Sequence, residues 1–143
     1  MSIQRKHKLQ ALVIAIMIMF AIFTAVFHKS DHDANRSNIE YIQSFGWVVD
    51  ENPIETTRIT LPDLSDKVFA AYCEKLQAQS GIGALGGKRV TRYSYNVLNH
   101  IESKNGLVRI NIFVYNDTIV AADVSSLKEN GFIIPISNTT DIT

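Results

Sequence analysis

Cysteine is nearly missing from this chain: Cys73 is the only one among 143 residues. A lone cysteine excludes an intramolecular disulfide and a zinc site built from thiolates, so any domain must be held by its apolar core. Cys73 falls among apolar residues in the middle of an expected helix, which reads as a buried, inert thiol. No cysteine closely follows the N-terminal apolar run, so a lipidated-cysteine anchor is excluded. That run, Leu9 to Phe27, has no charge and no glycine, and only Gln10 and Thr24 are polar. Without glycine it lacks a G-x-x-x-G surface for tight helix crossing. Positive charge is scarce beyond it. From Ser30 onward ten Lys and Arg face fourteen Asp and Glu, a net of −4. Nucleic-acid recognition rests on basic surface, so that partner is not expected.

What is present begins with the same run. At 1.5 Å rise per residue it would extend roughly 28 Å as a helix, close to the hydrocarbon thickness of a bilayer. Arg5, Lys6 and Lys8 precede it, which orients the N-terminus to the cytoplasm. A basic start and apolar core also describe a signal peptide. The length of the run, and the exit Ala25-Val26-Phe27-His28-Lys29 without a small-x-small cleavage site, favour a retained anchor. The expected layout is a cytoplasmic basic tail over 1–8, a transmembrane signal anchor over 9–28 and a linker over 29–36. An extracytoplasmic α+β domain follows over 37–137, then a flexible tail over 138–143. The bilayer is the first expected partner, and the plasma membrane, crossed once, the expected location.

Within the domain, Ser37 or Asn38 is placed to cap a short helix reaching Phe45, with Gly46 at its C-terminal end. Trp47-Val48-Val49 reads as a strand, and 57–61 as its return after the turn at 50–53. Pro62 fits a helix start, with a run to Gln79 and a stripe of Leu64, Val68, Tyr72 and Leu76, broadened by Phe69, Ala71 and Cys73. Strands are expected over 89–99, 107–115 and 118–125, with a last one over 131–136. In the second of these, Val108, Ile110, Ile112 and Val114 share one face, and Arg109 and Asn111 the other. A glycine-containing loop at 102–106 and the Asn116-Asp117 turn link them. The fold class is α+β: an N-terminal transmembrane helix, then an antiparallel sheet of about four to six strands packed by one long helix and one short helix.

No cofactor is expected. Gly81-Ile82-Gly83-Ala84-Leu85-Gly86 matches G-x-G-x-x-G, but a helix precedes it and a strand follows, the reverse of a dinucleotide site. Arg89 stands where a phosphate-binding loop needs Ser or Thr. Asp31-His32-Asp33 are adjacent in a polar stretch and do not converge on a metal without a scaffold. The residues that stand out are polar and aromatic positions on the long strands: Arg92, Tyr93, Tyr95, Asn96, Arg109, Asn111 and Tyr115. They read either as a solvated sheet face or as a recognition surface, since Tyr and Arg are favoured at binding hot spots. Asp123, in an otherwise apolar strand, is expected to pair with an arginine of that face or to mark a site.

From Asn38 to Ser137 the chain resembles domain of unknown function family 4830, found in small membrane-anchored Firmicutes proteins. The resemblance lies in Phe45-Gly46-Trp47, the helix end from Tyr72 to Gly81, and Gly87-Lys88 leading into Tyr93-Ser94-Tyr95-Asn96. Val114-Tyr115, Ala122-Asp123-Val124 and Gly131-Phe132 complete it. The resemblance implies a Gram-positive cell-surface setting and carries no catalytic residues. The functional expectation is a non-enzymatic, membrane-tethered binding or regulatory module for an envelope protein or peptide. An envelope enzyme on a wall or peptide substrate, with Asp123 and His100 as acid and base, is the alternative.

Overall fold

A computed structural model describes the backbone of residues 3–76 and 81–143, and the side chains of 12–23, 33–76 and 81–143. The chain divides into two units, Met1–Ala34 and Asn35–Thr143. Helix α1 (Ile3–Ser44) supplies the first unit and the opening of the second. In the first unit every described side chain from Leu12 to Phe23 is exposed, including Ile14, Met17, Met19, Phe20 and Phe23. Among the described residues no helix is long and apolar enough to cross a membrane. Side chains 1–11 and 24–32 lie outside the description, so much of the expected anchor over 9–28 does too.

The expected linker over 29–36 is helical in its backbone. No Gly or Pro interrupts it, and Arg36 pairs with Glu40 one turn on at 3.3 Å. Asn38 therefore caps nothing. Its side chain is buried and donates to the Tyr95 hydroxyl at 3.1 Å. The helix stops where Gly46 takes φ +87° and its N–H reaches back to the Gln43 carbonyl at 2.9 Å. A left-handed residue costs glycine nothing, which is why helices end on it.

The second unit is a five-stranded antiparallel sheet in the order β1-β2-β3-β4-β5. The strands are β1 (Glu55–Thr60), β2 (Arg89–Asn96), β3 (Val108–Tyr115), β4 (Thr118–Ser126) and β5 (Ile133–Pro135). Helix α2 (Lys67–Leu76) and a 3-10 turn, Ile82–Leu85, connect β1 to β2. Trp47-Val48-Val49 does not form a full strand: only Val49 bridges to Val97. Asn116 and Asp117 both take positive φ, the conformation a two-residue hairpin requires. The α2 start is set by Asp66, whose carboxylate accepts from the Val68 and Phe69 N–H groups at 2.9 Å each. That capping leaves Leu64 outside the helix and turns Val68 to solvent, 81 % exposed. The buried stripe is Phe69 and Leu76, with Tyr72 and Cys73 partly covered, and not Leu64 and Val68 as expected. Residues 77–79 of the expected helix lie outside the description.

Each face of the sheet has its own core. On one face Ile42, Trp47, Tyr95, Val97, Val108, Ile110, Ile112, Val124 and Ile136 pack with the end of α1. Phe69, Leu76, Leu61, Ile82, Val90, Phe113 and Ala121 pack on the other, under α2. Burying each large side chain is worth about 1.5–3 kcal/mol, and two layers give this small domain enough of them to fold without a crosslink. Trp47 seals the first core by donating from Nε1 to the Ile136 carbonyl at 2.7 Å. The tail expected to be free is also tied down. The Thr143 N–H donates to the Asn99 carbonyl at 2.8 Å, the Ile101 N–H donates to the Asp141 carbonyl at 3.1 Å, and Ile142 packs on the first core.

Candidate functional site

Strand alternation sorts the expected residues into two groups. Register pairs Arg92 with Phe113, Ser94 with Asn111 and Asn96 with Arg109, all on the α2 face. Tyr93 and Tyr95 pair with Ile112 and Ile110 on the opposite face. Arg92, Asn96, Arg109, Asn111, Tyr115 and Asp123 therefore share one face, and the two tyrosines of β2 do not join them. Tyr115 packs into the α2 core and away from the arginines' polar neighbours. Tyr95 is fully buried, and its hydroxyl donates to Asn35 Oδ1 at 2.9 Å. It is a core residue, and its burial pushes the phenol up to about 12.

Across the α2 face runs one polar row: Glu55, Ser94, Asn111 and Asp123, in register on four consecutive strands. The row is internally satisfied. Ser94 Oγ donates to Asn111 Oδ1 at 2.7 Å, and Asn111 Nδ2 donates to Asp123 Oδ1 at 2.8 Å and to Ser125 Oγ at 3.1 Å. Tyr72, reaching down from α2, donates its hydroxyl to Asp123 Oδ2 at 2.6 Å. Asp123 is 3 % exposed, and this burial raises its pKa, opposed in part by the bonds from Tyr72 and Asn111 and by the charge of Arg92. Tyr72 is pushed well above the ordinary phenol range by its own burial and then by the adjacent carboxylate. The expected arginine partner for Asp123 is replaced by these two neutral donors. Both carboxylate oxygens are engaged and shielded, an arrangement that holds a floor rigid.

Two arginines flank this floor. Arg92 Nη2 meets Glu55 Oε1 at 2.9 Å, with about a third of the arginine side chain exposed. Hydrogen bonds from Thr57 and Arg92, and then the arginine's charge, hold the Glu55 carboxyl below its usual range. Arg109 has no carboxylate within ion-pair distance among the described residues. Both guanidinium groups keep a buried Nε without an acceptor. Asn96 is committed to Asp50 Oδ2 at 2.9 Å. The face thus joins a fixed polar floor to two partly exposed guanidinium groups, of which Arg109 is in no ion pair among the described residues.

His100 is built into the other side of the sheet. It is 4 % exposed, stacks on Trp47 with ring centroids 6.1 Å apart, and lies 5.3 Å from the Phe132 ring. Its Nδ1 accepts from the Glu102 N–H at 2.9 Å, and Asp141 Oδ2 stands 3.9 Å from Nε2. Asp123 and His100 share no hydrogen-bond partner and belong to opposite faces, so they do not assemble as an acid–base pair. Among the described residues no group of three His, Cys, Asp or Glu side chains is placed to hold a metal. The side chains of Asp31 and His32 lie outside the description.

Sequence reasoning missed Glu55 and Ser94 as members of the row and Tyr72 and Ser125 as its hydrogen-bond partners. For Ser94 a signal existed, since it alternates with Arg92 and Asn96. For Tyr72 there was none, because its contact with Asp123 joins residues 51 apart in the chain. No protein-family model, no curated protein and no solved structure matches the chain.

Proposed function

We propose that the chain is a single-pass, membrane-anchored module whose sheet domain lies outside the plasma membrane and binds an envelope protein or peptide. The anchor reading is supported by Arg5, Lys6 and Lys8 ahead of an uncharged run and by large apolar side chains exposed over consecutive positions of α1, every side of the helix. The binding reading is carried by one observation. Arg109 and Arg92 set two partly exposed guanidinium groups, Arg109 outside any ion pair among the described residues, beside the rigid Ser94–Asn111–Asp123 floor. Arginine is a frequent anchor at interfaces, and a pre-fixed floor lowers the ordering cost of binding.

Crosslinking of the tagged full-length protein in intact cells, followed by mass spectrometry, tests this. Arg92→Ala combined with Arg109→Ala is expected to abolish specific capture while the melting temperature stays within a few degrees, because neither guanidinium closes a buried ion pair. Capture that survives the double substitution assigns binding to another surface.

A further inference from the structure

We propose that the groove between α2 and β5 binds a single-chain fatty acid, its tail along the groove and its carboxylate on Lys67 or Lys75. The groove has a volume of about 650 Å³ and is lined by Pro62, Val68, Phe69, Ala71, Tyr72 and Ile133. That size falls in the range of small-ligand sites, roughly 300–1,000 Å³. Val68 and Ile133 are exposed there at 81 % and 40 %, and Leu64 adds another exposed apolar side chain nearby in sequence. Among the described residues, charged side chains reach the groove only from Asp66, Lys67 and Lys75. Asp66 is occupied as the cap of α2, accepting from two backbone N–H groups. Neither lysine takes part in an ion pair among the described residues. The groove therefore presents apolar walls and two unpaired cations, in a domain that is otherwise acidic.

The lining also decides between occupants. The one hydroxyl among its described lining residues, that of Tyr72, is committed to Asp123. An acyl chain brings no N–H or C=O groups that the apolar walls would leave without partners. Lys67 and Lys75 are eight residues apart on α2, about 12 Å along the helix axis, so a head at either end leaves the apolar length free for the tail. The groove shares Tyr72 with the floor of the Arg92–Arg109 face but neither arginine, and the proposal stands without the binding role given to that face.

The test uses the full chain in phosphatidylcholine nanodiscs, photolabelled with a diazirine-bearing palmitic acid and mapped by peptide mass spectrometry. Labelling is expected on α2 between 67 and 75 and at Ile133. Ala71→Trp, at an exposed helical position where folding is not at stake, should reduce it at least tenfold. Lys67→Glu with Lys75→Glu should reduce labelling by the acid several-fold but leave labelling by its methyl ester unchanged. Label confined to the apolar run of α1, or insensitive to Ala71→Trp, overturns the proposal. So does a lysine-reactive crosslinker joining Lys67 or Lys75 to a second copy of the chain while α2 takes no label, since that assigns the groove to self-association.

Discussion

Replacing Tyr95 by Phe removes one oxygen atom from the centre of the α1-face core and should cost far more than a surface change. The hydroxyl accepts from Asn38 Nδ2 at 3.1 Å and donates to Asn35 Oδ1 at 2.9 Å. Asn35 is only partly covered and can turn to water, but Asn38 is 2 % exposed and its amide would be left without this acceptor. Stranding a buried donor costs about 1–3 kcal/mol. In a domain of this size each kcal/mol moves the melting temperature by roughly 4–8 °C, so a drop on the order of 10 °C is expected. Urea and thermal melts of the full-length protein measure it. A double-mutant cycle with Asn38→Ala should show that the second substitution costs less once the hydroxyl is gone, with a coupling of about 1 kcal/mol or more. The same hydroxyl links stability to alkaline pH. Its folded pKa is raised to about 12 from the ordinary 10.0, so its contribution is complete below pH 10 and is lost as pH rises from there through 12. The Phe variant should lack that loss. A variant within about 0.5 kcal/mol of the parent, or a cycle with no coupling, would refute the account of this core.

Asp123→Asn should change the pH dependence of stability. Burial raises the folded pKa of Asp123, so the protonated form is favoured by folding: its contribution is complete below the unfolded value near 3.8 and fades as pH rises through the folded one. The parent should thus gain on the Asn variant as pH falls from 7 towards 4, and a constant difference in chemical melts would contradict this. Gly131→Ala should destabilise the β4–β5 connection by about 1–3 kcal/mol, because the new Cβ would press on the carbonyl oxygens of Ser126 and Lys128, both fixed backbone atoms. A urea midpoint equal to the parent's would show that this loop yields.

The parts of the fold that local chemistry controls were legible before any coordinates. Alternation in β3, the Asn116-Asp117 turn and Gly46 at the helix end depend on neighbours in the chain, and each stands where its residues pointed. Errors came where distant groups decide. Asn38 has the chemistry of a cap, yet a buried tyrosine hydroxyl 57 residues away claims its side chain. Val68 has the spacing of a core residue, yet the Asp66 cap sets where the helix begins and turns that position outward. The site was half readable. Arg92, Asn96, Arg109, Asn111 and Asp123 do lie on one face, but grouping Tyr93 and Tyr95 with them ignored the period of two that had been applied correctly to β3. Tyr72 entered the row only through the packing of α2, which periodicity alone does not orient.

The first core also draws its parts from both extremes of the domain. Ile42 and Trp47, near its start, close against Ile136 and Ile142, near its end, and Thr143 itself is bonded to Asn99. Contacts between such distant positions form late, because the intervening chain must first be gathered. During synthesis, then, this layer stays open until the segment 136–143 has emerged. A chain cut short by even ten residues lacks Ile136, Ile142 and the acceptor for Trp47, leaving an indole and an apolar sheet face uncovered. Closure of this layer therefore depends on the segment 136–143, and copies that lack it expose the sheet face it covers.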